Sequence, residues 1–521
     1  MKIVRFQKLT TKLGYVSLLL ILFVVNTSSV QTAQAAARGN AHGSVASDLK
    51  CVAFSPYLQN YNPNTNNHPP TSLIDQLLDI IVEETDYNCI MIYGASPPLD
   101  HIFPAAQARG LKVFTNIWLE PGLLIPPQNS ISIQDGIDAA LAYPDTIVRL
   151  SCGVEVRNRA TNSGLPLSAA EMVINDCIDQ LQTAGVTQPI TTIDTWWNWC
   201  NAQWPCQTWS MANNVNWIGV NIYPWWENKY SGIFTCISAA EAPQFHIDRI
   251  NNIQATYPSK EIVLTEFGWP AGPDGYSEAN LYNGQKCGIA SEGNQDYVIS
   301  QTLTKLNNEG FQGVVFESYR EPWKIVEGPV GPFWGTLTPT FPDVPFPYWA
   351  HIWIQRLYKA EITAGCGNGN YCPEGTVTRD QMAVFLLKAK HGSSYVPPAP
   401  TGVFQDVPTD YWAAAWIEQL AAEGITSGCS TSPKKYCPTT PVTRDQMAVF
   451  LLKAKHGSNY VPPSPTGVFQ DVPTDYWAAA WIEQLAAEGI TAGCGGGNYC
   501  PTTPVTRDQM AVFLVKNFNL P

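Results

Sequence analysis

The chain predicts an α/β fold: a (β/α)8 barrel (TIM barrel) followed by three small α-helical repeats. Three observations carry this. Strand-like apolar runs alternate with helical stretches eight times across residues 48–337. The stretch VFQDVPTDYWAAAWIEQLAAEGIT occurs at 403–426 and again, letter for letter, at 468–491. A diverged copy begins at Phe341. Sustained alternation implies a parallel sheet with helices packed outside it, and internal repetition implies stacked units of one kind.

The elements follow in order. CVAFSPY (51–57) is the first strand and leads to the helical TSLIDQLLDIIVEE. CIMIYGAS (89–96) precedes PAAQARG, and LKVFTNIWL (111–119) leads to IQDGIDAALAYP. TIVRLSCGVEV (146–156) leads to SAAEMVINDCIDQLQTAG. PITTIDTWW (189–197), VNWIGVNIYPWW (215–226), EIVLTEFGWP (261–270) and GVVFESY (313–319) complete the eight. Short apolar runs bounded by turn residues read as buried strands.

In the repeats, YWAAAWIEQLAAEG places Trp412, Trp416 and Leu420 on one helical stripe, with Gly424 past its end. TRDQMAVFLLKA begins with Thr as N-cap and turns Met447, Phe450 and Leu451 inward. Pro-rich SSYVPPAPTG and SNYVPPSPTG act as spacers. The expected units are 340–393, 402–458 and 467–521.

The N-terminus carries Lys2, Arg5, Lys8 and Lys12, the apolar run VSLLLILFVV (16–25) and the small-residue stretch QTAQAAA. That is the layout of a secretory signal peptide, here 1–36, and no later segment is apolar and long enough to span a membrane. A formal net charge of −13 argues against nucleic acid as a partner. The seven His show no ligand spacing, so neither a metal site nor a cofactor is expected.

Fourteen Cys in an exported chain read as disulfides. Each repeat holds one close pair, Cys366–Cys372, Cys429–Cys437 and Cys494–Cys500, able to close a small loop. Cys51–Cys89 would join the starts of the first two strands, and Cys200–Cys206 would staple the loop after the fifth. Cys152/Cys177 and Cys236/Cys287 remain as candidate pairs, because connectivity does not follow from sequence.

Glu155 ends the fourth strand and Glu266 the seventh. In a barrel both lie at the C-terminal mouth, where chemistry collects. Two facing carboxyls in different environments suit glycosidic bond cleavage. The bland alternative for Glu266 is a carboxylate emerging into solvent at a strand end. Nine Trp lie at or beyond strand ends: 118, 196, 197, 199, 225, 226, 269, 323 and 334. About half are expected to fill the core. Trp269 and Trp334 are the expected sugar-stacking rings.

Residues 48–337 resemble glycoside hydrolase family 17, the β-1,3-glucanase family. VLTEFGWPAGPDG matches its nucleophile strand, while FSPY, GLKVFTNIWL, IDTWWNW, WIGVNIYPWWEN, FESYREPWK and GPFWGTL fall in family order. The resemblance implies Glu266 as nucleophile, Glu155 as acid/base, and retention of configuration with the carboxyls about 5–5.5 Å apart. It also implies substrate contacts from Tyr93, Asp194, Tyr223, Trp269, Glu317, Glu321, Lys324 and Trp334. Three positions depart from the family. Val154 stands where an Asn normally precedes the acid/base, Met91 replaces an Arg, and Arg320 replaces an acid. The implied activity is hydrolysis of β-1,3-glucan or a related β-glucan. The alternatives are transglycosylation by the same residues, or glucan binding without cleavage.

The repeats resemble S-layer homology (SLH) modules through F-x-DV, YWA…WI, GIT-x-G and the TR pair. Such modules hold acidic polymers of bacterial cell walls, which implies a secreted, wall-associated protein. Arg379, Arg444 and Arg507 are the implied polymer ligands, since a guanidinium fork suits carboxylate oxygens; the alternative is that each caps its own helix. After TR this chain has Asp-Gln where the family has Ala-Glu, and its Cys pairs are a variant.

Overall fold

The computed structural model describes residues 49–521 except 231–235 and 281–282. The expected signal segment, 1–36, lies outside the described residues. One compact unit ends at Thr338 and a second runs from Pro339 to Pro521. Among the described residues no helix is long and apolar enough to cross a membrane.

The first unit is a closed barrel of β1 Cys51–Ala53, β2 Cys89–Ile92, β3 Lys112–Ile117, β4 Ile147–Val154, β5 Ile190–Thr195, β6 Ile218–Asn221, β7 Ile262–Phe267 and β8 Gln312–Val315. The strands pair in sequence order, and β8 closes in parallel on β1. Every expected strand is present. Cys51, Ala53, Cys89, Met91, Phe114, Val154, Ile193, Trp217, Val263 and Val314 form one buried cluster. Residues drawn from all around a closed sheet meet only in its interior, so this cluster fills the barrel. Helices pack outside; Thr71–Glu84 turns Leu73, Ile74, Leu77, Leu78 and Ile81 inward at helical spacing.

All seven disulfides named from the sequence are formed. Cys51–Cys89 joins residues directly opposite in β1 and β2. Cys152–Cys177, Cys200–Cys206 and Cys236–Cys287 lie in the barrel unit. Cys366–Cys372, Cys429–Cys437 and Cys494–Cys500 close the repeat loops.

The second unit holds three helix pairs: His351–Lys359 with Arg379–His391, Ala414–Ala422 with Arg444–His456, and Ala479–Ala487 with Arg507–Phe518. Thr378, Thr443 and Thr506 are the N-caps, and Thr378 forms a capping box with Gln381. Met447, Phe450 and Leu451 are buried as expected. Trp412 is a correction. It precedes the helix and lies exposed, because Tyr411 beside it turns inward and donates its hydroxyl to Asp380.

The three pairs close on one another in a ring. Val377 N–H donates to Val505 O, Val505 N–H to Val442 O, and Val442 N–H to Val377 O, all at 2.8–2.9 Å. Each hydroxyl of Tyr411, Tyr476 and Tyr348 reaches the Asp that follows Arg in the adjacent pair: Asp380, Asp445 and Asp508. The three Arg obey the same order. Arg379 Nε donates to Tyr436 O, Arg444 Nε to Tyr499 O, and Arg507 Nε to Tyr371 O, with each guanidinium 4.7 Å from that Tyr ring. The three side chains are buried. They neither cap their own helices nor stand open at the surface. The carbonyl and ring of a neighbouring repeat supply what a buried cation needs.

Replacing Arg444 with Ala should therefore weaken the whole second unit. The expected loss is about 2–3 kcal/mol, from the charge-assisted bond and the ring contact together. Thermal unfolding followed by circular dichroism checks it, and Arg379→Ala should give a similar loss.

Candidate active site

Glu155 leaves β4 in the left-handed backbone region, with φ +53°. Gly153 two residues before it has φ +82°, and a Cβ there would meet Val156 at 2.2 Å. The β4–β5 register shifts between Ser151 and Val154. These irregularities break the alternation of the strand end and set the direction of Glu155. Glu266 lies within β7, opposite Asn221 of β6.

Each carboxyl has its own hydrogen-bond partners, and the two are coupled through their charges. Asn221 Nδ2 donates to Glu155 Oε1 at 3.1 Å and Asn158 Nδ2 to Glu155 Oε2 at 2.8 Å. Thr265 Oγ1 donates to Asn221 Oδ1 at 2.9 Å, which fixes the amide with its N–H toward Glu155. Glu266 accepts the Tyr93 hydroxyl at Oε1 and the Tyr223 hydroxyl at Oε2, both at 2.8 Å. Glu266 is 6% exposed. Burial, then the charge of Glu155, pushes its pKa up to about 7, against the two Tyr bonds and the Lys324 cation that favour its ionised form. Burial and Glu266 in turn hold both Tyr hydroxyls protonated, with pKa values well above the ordinary phenol value.

Beneath the pair lies a second charged group. Lys324 Nζ bonds Glu317 and lies 2.7 Å from Glu321. Glu321 also accepts from Ser55 and from Trp323 Nε1. Burial raises the Glu317 pKa well above the ordinary range. For Glu321 burial is outweighed by Lys324 and the hydrogen bonds, so its pKa is lowered. The result is one cation, one anion and one protonated carboxyl, which limits the cost of burying three ionisable groups together.

Several expected contacts are corrected. Trp269 is 0% exposed, with its Nε1 donating to Ile289 O and its ring against Trp225 at 5.2 Å. Trp334 is 1% exposed and packs behind Tyr223 at 5.3 Å. Neither ring faces the cleft, because Trp225 and Ile289 cover Trp269 while Tyr223, Trp226 and Phe316 surround Trp334. Asp194 is buried and accepts the N–H groups of Arg157 and Thr195 and the Asn198 amide. It braces the turn that carries Glu155, and burial followed by the Glu155 charge raises its pKa to about 7. Glu317, Glu321 and Lys324 are likewise buried and act through the network rather than at the surface. Tyr93 and Tyr223 do stand at the carboxyl pair. Asn158, Asn221 and Thr265 were not singled out by sequence reasoning; the hints were Asn221 inside WIGVNIYPWWEN and Thr265 inside VLTEFGWPAGPDG.

Of the three positions where the sequence departs from the resemblance, Met91 and Val154 lie in one buried apolar cluster. Arg320 pairs with Glu292 at 2.9 Å. Two clusters of donor atoms, Asp406 with Cys429 and Cys437 and Asp471 with Cys494 and Cys500, consist of disulfide sulfurs beside carboxylates already holding backbone N–H groups.

Comparison with known proteins agrees with this architecture. Residues 51–335 match the BtgE/BtgC glycoside hydrolase domain, and residues 341–383 and 468–511 match the S-layer homology domain. The "Probable family 17 glucosidase SCW10" of Saccharomyces cerevisiae is 23% identical over 306 residues, 56% of this chain and 66% of that one. The "Probable glucan endo-1,3-beta-glucosidase eglC" of Aspergillus oryzae is 23% identical over 256 residues, 46% of this chain and 50% of that one. The "Surface-layer 125 kDa protein" of Lysinibacillus sphaericus is 28% identical over 163 residues, 30% of this chain and 13% of that one. The chain thus spans half to two-thirds of the two glucosidase relatives and a small part of the surface-layer protein.

The raised pKa of Glu266 has a stability consequence. Between the ordinary value of 4.5 and about 7 the folded state binds more protons than the unfolded state. Stability therefore falls as pH rises through that window, and the penalty is complete above it. Glu266→Gln removes the penalty. At pH 8 the variant should exceed wild type by up to about 3 kcal/mol, and the gap should vanish below the ordinary carboxylate range. Urea unfolding at several pH values checks this.

Proposed function

The chain belongs to the BtgE/BtgC glycoside hydrolase family, and from that membership we propose that it is a retaining β-glucan hydrolase held at the cell surface. The observation that carries the reading is the carboxyl pair at the barrel mouth, with Glu266 held by two Tyr hydroxyls and Glu155 by two Asn amides.

In the first step the Glu266 carboxylate attacks the anomeric carbon as the bond to the leaving sugar oxygen breaks, and Glu155 gives that oxygen its proton. In the second, Glu155 takes a proton from water while the water oxygen attacks the same carbon, releasing Glu266. Tyr93 and Tyr223 stabilise the carboxylate that leaves. Lys324 adds positive charge near it, an effect already visible in the Glu266 pKa. The substrate is a neutral β-glucan, with β-1,3 linkage the first choice from the relatives' names.

The second unit anchors the enzyme. Three SLH modules, 340–393, 402–458 and 467–521, hold an acidic wall polymer after export directed by residues 1–36. Arg379, Arg444 and Arg507 commit their Nε atoms within the ring, and Arg379 Nη1 and both Nη groups of Arg444 donate to Gln446, Gln509, Thr491 and Gly493, so these Arg shape the unit.

The test is incubation of the mature protein with β-1,3-, β-1,4- and β-1,6-glucans. Proton NMR of the first products should show the β-anomer, and an α-anomer would reject the covalent route. Products longer than the substrate would mark transglycosylation, and binding without turnover would mark a carbohydrate-binding surface protein. Glu266→Gln and Glu155→Gln should each lower kcat by at least about a thousandfold.

The pH profile supplies a separate check. Glu266 must be ionised to attack, and burial followed by the Glu155 charge pushes its pKa up to about 7. The ratio kcat/KM should therefore fall on the acid side of about pH 7.

A further inference from the structure

With Trp269 and Trp334 buried, the aromatic surface that meets sugar must lie elsewhere. Trp118, just beyond β3, is 40% exposed. It lines a depression of about 150 Å³ together with Tyr57, Tyr93, Ser96, Leu99 and Ser132. Tyr93 is shared between this depression and the catalytic carboxyl, since its hydroxyl bonds Glu266. The depression therefore opens beside the reacting centre.

Trp118 is held in one orientation. Its Nε1 donates to Glu120 Oε1 at 2.6 Å. The Arg159 guanidinium lies 4.3 Å from its ring and pairs with Glu120 Oε2 at 2.9 Å. Arg159 also donates to Leu119 O and to Val154 O, the residue immediately before Glu155. One clamp thus ties the indole to the strand end that carries the acid/base. An aromatic platform fixed before binding loses little entropy when a ligand arrives.

We propose that Trp118 is the platform of a subsite for one neutral β-linked hexopyranosyl unit, next to the unit that is cleaved. Every lining residue is uncharged, which suits a neutral sugar and disfavours an acidic one. The indole packs on the apolar C–H face of the ring, while Ser96, Ser132 and Tyr57, itself bonded to His68, supply hydroxyls to its edge.

The inference rests on the glucan-hydrolase reading, and the experiment separates the two. Affinities of β-1,3-gluco-oligosaccharides of two to six units are measured calorimetrically for Glu266→Gln and for the same protein carrying Trp118→Ala or Trp118→Phe. Affinity should step up at the chain length that reaches Trp118. The step should vanish with Ala, a loss of about tenfold or more, and return in large part with Phe. Equal melting temperatures of the variants exclude misfolding. An unchanged step in Trp118→Ala overturns the subsite while leaving the hydrolase standing. Absence of oligosaccharide binding to Glu266→Gln together with absence of turnover of any glucan by wild type overturns both.

Discussion

A carboxyl buried in β7 and offered two phenolic protons is the constraint on which the rest of the barrel mouth depends. An ionised carboxylate in a nearly dry site is costly unless hydrogen bonds and a nearby cation stabilise it. Tyr93 and Tyr223 provide the bonds and Lys324 the cation. Each of these needs its own support. Tyr223 is backed by Trp334 and Phe316. Lys324 is balanced by Glu321 and paired with Glu317, so the cation arrives without a large net charge. The burial of Trp334, Glu317 and Glu321 is thus part of the same arrangement: these groups hold the Tyr ring and the cation that stabilise Glu266.

On the other side of the cleft the problem is aim rather than charge. Glu155 lies where β4 ends in two positive-φ residues and a register shift. Asp194 accepts the N–H of Arg157 in the turn just after it, and Asn221, set by Thr265, holds one of its oxygens. Met91 and Val154 belong to the barrel's apolar filling. The Glu155 carboxyl is therefore oriented by amides from β6 and from the first turn after β4.

The second unit solves a different physical problem. A helix pair of this size cannot bury its own apolar face. Three pairs share one core running from Phe341 to Val515. Ring closure leaves no end pair with an unmatched face. The Val377, Val442 and Val505 backbone bonds and the three Arg–Tyr struts repeat the same contact in cyclic order.

The sequence by itself determined the eight strands, their order, the cysteine partners within each repeat and the two strand ends that carry Glu155 and Glu266. Each of these is local: periodicity, turn residues, short spacing or a strand terminus. Tertiary structure decided which polar and aromatic groups face the cleft. Trp269 and Trp118 both follow a strand end and look alike in sequence, yet one is sealed by Trp225 and Ile289 and the other stays open beside Tyr93. Asp194 and the three Arg were read as ligand groups, and each spends hydrogen bonds on backbone groups outside its own element. Burial of a side chain is set by neighbours distant along the chain, and a local pattern carries no record of them.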